Sequence, residues 1–347
     1  MTSSKPQVVT PTIPCRYLSS PTQRVWLKHE YMQPTGSFKI RGVQRACAAE
    51  AANGARRLLI ASGGNAGIAV AYCARALGVS CLVVVPESAS MLVKVMLRNL
   101  GAEVVVRGRT LEDADAVMGG LRSTADGVIH PDHNPFILDG YASLIREAKM
   151  QMQMHDPDAV VVAVGGGGLM SGVLQGMHFV GWSQVPLIAC ETLGAHTLAL
   201  AMAAGHSVGM PRLTSVVSAL SARSVSEAAF AWTLRHNVVS EVVTELEAVR
   251  AARGFADHYN KVIDPSCGAV VAALGRRRPD ELAKAQEVLV VICGGTVTSY
   301  RDLISMEEAL CSRNPGVLEP ASSPPEAYPK DIGEMLRRLS PIVPPDR

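Results

Sequence analysis

Short apolar runs alternate with longer stretches of helical period along most of the chain. Buried parallel strands have such runs, and the helices that join them carry one apolar face. We therefore predict an α/β fold with two open, twisted and mostly parallel sheets flanked by helices. The predicted strands are 58–61, 81–85, 103–106 and 128–130 in a first series, and 160–164, 186–189 and 288–293 in a second.

The two series of strands indicate two domains. A long helix, predicted over 134–154, leads from the first series to the second. Because the second series uses chain from both sides of the first, we predict a large domain of residues 1–34 and 138–312. A small domain of residues 35–137 is then inserted in it. Proline is frequent in residues 313–347, which are predicted to form a Pro-rich tail that is flexible or lies along the surface.

Composition limits the partners of the chain. It has 347 residues, of which 48% are hydrophobic, and a formal net charge of +2 with no basic block. Such a chain can bury two cores but lacks the charged surface of a nucleic-acid binding protein. We therefore expect a small-molecule substrate and no nucleic-acid partner. None of the eight cysteines forms a C-x-x-C pair, which indicates reduced thiols in a cytoplasmic protein.

One segment has the composition of a membrane span. Residues 159–190 contain no Asp, Glu, Lys or Arg. A glycine cluster, Gln184 and Pro186 divide this segment into strand, helix and strand, as expected for the centre of a parallel sheet. The first residues of the chain also lack the apolar run of a secretory signal, so we expect no membrane partner.

Lys39 lies at the start of a predicted helix that runs to Ala51, between Phe38 and Ile40. Ser37 is predicted to cap this helix. The two apolar neighbours would exclude water from the amine and lower its pKa, which is what a nucleophilic lysine requires. The alternative is an ordinary surface lysine whose aliphatic stem covers apolar surface.

Two glycine-containing loops follow predicted strands. The first, Ser62-Gly63-Gly64-Asn65-Ala66-Gly67, combines side-chain donors with the amides of a helix start, which suits a carboxylate or phenolate oxygen. The second, 165–168, precedes Leu169 and offers consecutive amides to a phosphate. It lacks the lysine of a P-loop and the third glycine of the dinucleotide fingerprint, so a phosphate monoester is expected. The alternatives are an ordinary strand-to-helix turn and a flexible linker.

Two other features suggest ligands. Cys293 ends a predicted strand, at the edge where open α/β sheets collect ligands, although such a cysteine is often only a small buried apolar residue. The sequence His130-Pro131-Asp132-His133 suggests a metal. However, Pro131 breaks the helix that would aim both imidazoles and no third ligand lies nearby, so we expect no metal there.

Together, the lysine, the two loops and Cys293 resemble the serine/threonine dehydratase family of fold-type II pyridoxal-phosphate enzymes, and especially the liver-type serine dehydratases without a regulatory domain. The resemblance runs from about residue 10 to about residue 303 and includes 191–196, 214–216 and 264–269. It implies a fold like that of the tryptophan synthase β subunit, with the cofactor between the two sub-domains, and a homodimer. It also implies elimination from L-serine and L-threonine to pyruvate or 2-oxobutyrate and ammonia.

The resemblance assigns roles to individual residues. Lys39 would bind pyridoxal 5'-phosphate covalently and take the Cα proton. The implied cofactor-binding residues are Phe38, Lys39, Asn65, Gly165, Gly166, Gly167, Gly168, Leu169 and Cys293. Asn65 would bond the ring phenolate oxygen, and Cys293 would face the pyridine nitrogen. The implied substrate-binding residues are Ser62, Gly63, Asn65 and Ala66.

Some positions leave alternatives open. Glu191 and the backbone of Ala195 match a family site for a monovalent cation such as K+, although Glu191 could instead cap the next helix. Segment 219–226 carries serine at two positions where relatives usually have glycine. Gly63 stands at a position where relatives often have alanine. Within the same fold, the alternative functions are a racemase, a β-replacing enzyme, and a non-catalytic protein that binds the cofactor.

Overall fold

The computed structural model describes residues 6–131, 134–153, 155–275 and 279–313. The ten strands in these ranges are β1 (Thr12–Pro14), β2 (Arg24–His29), β3 (Arg57–Ala61), β4 (Ser80–Val85), β5 (Glu103–Val106), β6 (Asp126–Val128), β7 (Ala159–Ala163), β8 (Leu187–Thr192), β9 (Val238–Val243) and β10 (Glu287–Ile292). The twelve α-helices in the same ranges are α1 (Lys39–Ala52), α2 (Asn65–Leu77), α3 (Met91–Asn99), α4 (Leu111–Leu121), α5 (Pro135–Gln151), α6 (Gly168–Phe179), α7 (Thr197–Ala204), α8 (Glu227–Thr233), α9 (Glu245–Tyr259), α10 (Pro265–Ala273), α11 (Asp280–Lys284) and α12 (Tyr300–Arg313).

The strands form two sheets. The larger has the order β1-β2-β10-β7-β8-β9 and is parallel except for the antiparallel edge strand β1. The smaller has the order β5-β4-β3-β6 and is entirely parallel. This arrangement confirms the predicted fold class of two mostly parallel sheets with helices. All strands of the smaller sheet lie within the predicted small domain, but the exact domain boundaries stay a prediction.

The apolar segment 159–190 has the predicted structure of strand, helix and strand, formed by β7, α6 and β8. In the described ranges, no helix combines the length and the apolar character that a membrane span requires. All five residues of β7 are buried, which explains why its sequence is uniformly apolar rather than alternating.

The long predicted helix is shorter at its carboxyl end than expected. Asn134 caps it, because its Oδ1 accepts a hydrogen bond from the amide of Phe136 at 2.9 Å. The helix ends at Gln151, since Gln153 has a left-handed backbone (φ +48°) that cannot continue it. Residue 154 and the Pro-rich tail from 314 onward lie outside the described residues.

A buried cluster of charges holds α1 in place. Arg41 is fully buried and donates to Glu30 through Nε (2.6 Å) and Nη2 (2.8 Å). It also donates to Glu147 on α5 through Nη1 and Nη2, both at 2.7 Å. Lys28 on β2 adds a further bond to Glu147 at 2.7 Å. Two acids and two bases therefore balance each other, and they link α1 to the larger sheet and to α5.

We expect Arg41→Met to lower the free energy of unfolding by about 3–5 kcal/mol, because it leaves two buried carboxylates without their main partner. The matched control is Arg45→Met on the same helix, which removes an exposed ion pair with Asp139 and should cost less than about 1 kcal/mol. Urea unfolding of both variants measures the difference. Equal losses would contradict a special contribution of the buried cluster.

Candidate active site

The start of α1 is attached to the end of β10 by backbone hydrogen bonds. The amide of Phe38 donates to the carbonyl of Cys293 at 2.9 Å, and that of Gly295 donates to the carbonyl of Gly36 at 3.1 Å. Gly36 has a left-handed backbone (φ +70°), and a Cβ there would overlap the hydroxyl of Thr296. Only glycine fits this approach. Lys39, the first residue of α1, is therefore held beside the carboxyl end of β10.

Ser37 does not cap α1, so that prediction is wrong. Phe38 is the residue that precedes the helix, and no side chain bonds to the first-turn amides. Ser37 instead pairs with Gly294 in an isolated β-bridge. Its hydroxyl is buried and has no hydrogen-bond partner among the described residues. A short extended pairing with β10 has thus replaced the expected cap.

Two aromatic rings lie near the amine of Lys39. Its Nζ lies 5.2 Å from the centre of the Phe38 ring and 5.8 Å from the centre of the Tyr141 ring. The two rings pack edge to face, with their centres 4.8 Å apart. Phe38 was predicted as a neighbour of the amine, whereas Tyr141 on α5 was not. This contact could not be predicted, because Tyr141 is far from Lys39 in the sequence and only the packing of α5 against α1 brings the two side chains together.

The Ser62 loop connects β3 to the start of α2. The hydroxyl of Ser62 accepts hydrogen bonds from the amides of Gly67 (3.0 Å) and Gly64 (3.3 Å), while its own amide donates to the carbonyl of Val84 at 2.9 Å. The amide of Ser62 is therefore used within the fold, and a ligand would meet its hydroxyl instead. A Cβ on Gly63 would lie 3.2 Å from the Cβ of Ala89, so this wall of the loop is tight.

Asn65 begins α2 and reaches towards the larger sheet. Its Nδ2 donates to Oδ2 of Asp264 at 3.0 Å, and its Oδ1 is buried with no hydrogen-bond partner in the described ranges. Asp264 also accepts from the hydroxyl of Thr298 at 2.7 Å. Burial raises the pKa of Asp264, and both hydrogen bonds oppose this change. Neither Asp264 nor Thr298 was among the predicted site residues.

The loop 165–168 lies between β7 and α6. Gly167 has a left-handed backbone (φ +88°), and a Cβ there would overlap the Cβ of Ala229. No side chain caps α6, so its first amides stay available to an anion at the positive end of the helix. The amide of Ser226 fixes the loop by donating to the carbonyl of Gly166 at 3.1 Å. This geometry suits a phosphate and excludes the flexible-linker alternative.

Cys293 is buried directly after β10 and touches a second thiol. Its Sγ lies 2.9 Å from Sγ of Cys267 and 3.8 Å from the hydroxyl of Ser266, both in the first turn of α10. Burial strongly raises the pKa of the Cys267 thiol. Two thiols and a hydroxyl therefore meet at this strand end. All eight cysteines of the chain are free thiols.

Glu191 is the penultimate residue of β8 and is fully buried. Its two carboxylate oxygens accept the amides of Leu198 and Ala199, each at 2.8 Å. Burial raises the pKa of Glu191 to about 8. Through these contacts Glu191 caps the start of α7, which was the alternative to cation binding. Cation binding by Glu191 and the backbone of Ala195 stays a prediction.

The described part of the chain contains no group of three or more His, Cys, Asp or Glu side chains arranged for a metal. Of the His130-Pro131-Asp132-His133 sequence, residues 132 and 133 lie outside the described ranges.

The site thus brings a lysine amine, an uncapped helix start with a glycine loop, an asparagine amide and a neutral thiol to neighbouring strand ends of two parallel sheets. The family model described as "Pyridoxal-phosphate dependent enzyme" matches residues 4–294. The chain belongs to this family. The residues fit that cofactor, because no side chain occupies the first amides of α6, which can bind a phosphate, and Nδ2 of Asn65 has a second N–H group besides the one that Asp264 accepts.

The names of similar proteins indicate which group of pyridoxal-phosphate dependent enzymes this chain resembles. The chain is 42% identical to "Serine dehydratase-like" of Rattus norvegicus, over 83% of this chain and 90% of the relative. It is 38% identical to human "L-serine dehydratase/L-threonine deaminase", over 84% and 91% of the two chains. The crystal structure of a fungal L-serine ammonia-lyase from Rhizomucor miehei has a TM-score of 0.81 and 28% identity, covering 88% of this chain and 99% of that one. The predicted membership of the serine/threonine dehydratase family is confirmed.

We expect Gly167→Ala to weaken binding of pyridoxal phosphate by about tenfold or more, because a left-handed alanine is strained and its Cβ displaces the loop. Gly181→Ala is the control, since Gly181 has a similar φ of +86° with no atom within 4 Å of the added Cβ. Titration of both apoproteins with the cofactor gives the affinities. An unchanged affinity in Gly167→Ala would remove 165–168 from the cofactor site.

Proposed function

We propose that this protein is a pyridoxal-phosphate dependent lyase that converts L-serine and L-threonine to pyruvate and 2-oxobutyrate with release of ammonia. The observation that carries the proposal is the attachment of α1 to the end of β10, which holds Lys39 beside Cys293. The names of the relatives support the same reaction. A lysine alone would support many functions, but its place among the two loops and the thiol favours this one.

The cofactor would be held by groups from both sheets. Lys39 would bind it covalently beside Phe38, the 165–168 loop and Leu169 would hold its phosphate, and Asn65 would bond its ring oxygen. Cys293 would face its pyridine nitrogen. The cofactor would supply the electron sink that makes the Cα proton of an amino acid acidic. The positive end of α6 and the amides of the glycine loop favour a doubly charged phosphate at this position.

The substrate carboxylate would lie at the start of α2. There the hydroxyl of Ser62, the backbone of Gly63 and Ala66 and the side chain of Asn65 supply polar contacts, and the positive end of the helix favours an anion. The amine of Lys39 would take the Cα proton from the substrate held in this position. Fixing both groups in one geometry contributes much of the rate in such reactions.

A neutral thiol at the pyridine nitrogen would favour elimination. A carboxylate at that place would hold the nitrogen protonated and strengthen the electron sink, which supports transamination. Cys293 packs against Cys267, whose pKa is raised by burial, so the sulfur next to Cys293 carries no negative charge. A cytoplasmic location and a homodimer are also proposed, with the buried free thiols supporting a reducing compartment.

We expect Lys39→Ala to lower pyruvate release from L-serine by about three orders of magnitude, because it removes the proton-accepting amine. The exposed Lys284→Ala is the control and should keep full activity. Borohydride should fix the yellow cofactor to the peptide that contains Lys39 in the parent protein only. Near-normal turnover in Lys39→Ala would contradict the mechanism. Formation of D-serine in place of pyruvate by the parent protein would favour the racemase alternative.

We expect Cys293→Asp to raise transamination relative to elimination, since a carboxylate would stabilise the protonated form of the pyridine nitrogen. Cys293→Ser, which keeps a neutral group of similar size, is the matched control and should retain the product ratio of the parent. The measurement is the ratio of pyruvate to the aminated form of the cofactor after many turnovers. If the aspartate variant binds cofactor and shows the parent ratio, Cys293 does not face the ring nitrogen.

A further inference from the structure

Asp264 precedes α10 but does not act as a helix cap. Aspartate is among the preferred residues at this position because its carboxylate accepts the first amides of the helix. Here no such side-chain bond is formed, and Pro265 takes the first helical position. Asp264 is nevertheless only 2% exposed. A buried acid that is not used by its own helix requires another explanation.

Each oxygen of Asp264 has a different partner. Oδ1 accepts from the hydroxyl of Thr298 at 2.7 Å, and Oδ2 accepts from Nδ2 of Asn65 at 3.0 Å. The backbone amide of Asp264 donates to the carbonyl of Gly294 at 3.0 Å, next to Cys293. The bonds to Thr298 and Gly294 therefore fix Asp264 in place, with Oδ2 directed at Asn65.

The chemistry of the partner determines which way the carboxamide of Asn65 faces. An asparagine side chain has a donor on one side and an acceptor on the other, and a carboxylate can only accept. Asn65 must therefore present its nitrogen to Asp264. One of its two N–H groups is used in this bond, and the second remains to donate to a neighbouring anion. Without Asp264, the carboxamide could turn and present its oxygen, which repels an anion.

We propose that Asp264 is a positioning residue that fixes the carboxamide of Asn65, so that its second N–H group faces the anionic ring oxygen of the cofactor. The inference rests on the proposed function, which places Asn65 at that oxygen. Thr298 completes the arrangement because its hydroxyl prevents the carboxylate from rotating. Asp264 itself touches neither cofactor nor substrate in this assignment.

A purely structural role makes a different prediction. The bond between Asp264 and Asn65 joins α10, which packs on the larger sheet, to α2, which packs on the smaller one. If it only connected these parts, its loss would lower the melting temperature of the apoprotein and leave the bound cofactor unaffected. A positioning role instead changes the cofactor, and it acts only through Asn65.

The experiment compares Asp264→Ala, Asp264→Asn and Thr298→Val, each in the parent and in an Asn65→Ala background. The dissociation constant of pyridoxal phosphate, the pH midpoint of its visible absorbance and the melting temperature of the apoprotein are measured for all full-length variants. We expect Asp264→Ala to weaken cofactor binding by about tenfold and to move the absorbance midpoint to higher pH. In the Asn65→Ala background the same change should alter both values by less than about twofold, as expected for coupled residues.

The other two variants refine the test. Asp264→Asn should restore most of the affinity, because its own Oδ1 can accept from Asn65 while its nitrogen donates to Thr298. Thr298→Val should shift both values in the direction of Asp264→Ala by a smaller amount, and this effect should also vanish without Asn65. If Asp264→Ala does not fold, the Thr298→Val pair still decides the question.

Several results would overturn the proposal. One is an Asp264→Ala protein with altered melting temperature but unchanged affinity and absorbance. Another is an equal effect of Asp264→Ala with and without Asn65. A parent protein that binds no pyridoxal phosphate, or an Asn65→Ala protein that binds it normally, would overturn the placement of Asn65 as well. The failure of the proposed function is thereby distinguished from the failure of this inference alone.

Discussion

Two backbone hydrogen bonds between the start of α1 and the end of β10 set the geometry on which the rest of the site depends. They join Phe38 to Cys293 and Gly295 to Gly36, so they depend on backbone positions and not on side-chain rotamers. The approach is close enough that a Cβ on Gly294 would lie 2.7 Å from the Cβ of Ser37. Because strand and helix are joined in this way, the lysine and the thiol cannot move independently.

A second attachment, on the opposite side of α1, makes the helix start rigid. Arg41 follows Lys39 by two positions and is directed into the buried cluster with Glu30 and Glu147. Close packing of α1 on α5 requires Gly140, where a Cβ would overlap the backbone of Arg41. The amine of Lys39 is therefore carried on a backbone that is fixed on two sides. A reactive group held by fixed surroundings loses less entropy when it reacts, which is the usual basis of preorganised sites.

The sequence predicted those parts of the structure that follow from local patterns. Uniformly apolar runs such as β7 and β10 are recognisable because both faces of the sheet are buried. By contrast, β2 and β9 were not predicted, since Lys28 and Glu241 interrupt their apolar runs, and the tertiary partners that make such residues tolerable are distant in the chain. The contacts of Tyr141 and Asp264 were likewise missed for want of any local signal. Only the family resemblance, and not the periodicity of the sequence, predicted that Lys39 and Cys293 lie in the same site.

The distribution of charge within the site follows from burial as well as from residue type. Burial raises the pKa of the Cys267 thiol and keeps it protonated, and the carboxylate of Asp264 makes a smaller contribution in the same direction. The carboxylate of Asp264 is itself directed at Asn65 and Thr298, where it accepts hydrogen bonds, and not at the thiols. Under the proposed function, the side chain of Asn65 would face the oxygen side of the cofactor ring while the sulfur of Cys293 would face its nitrogen. A cofactor ring held in this way would act as a moderate electron sink, which would suit loss of a β-hydroxyl.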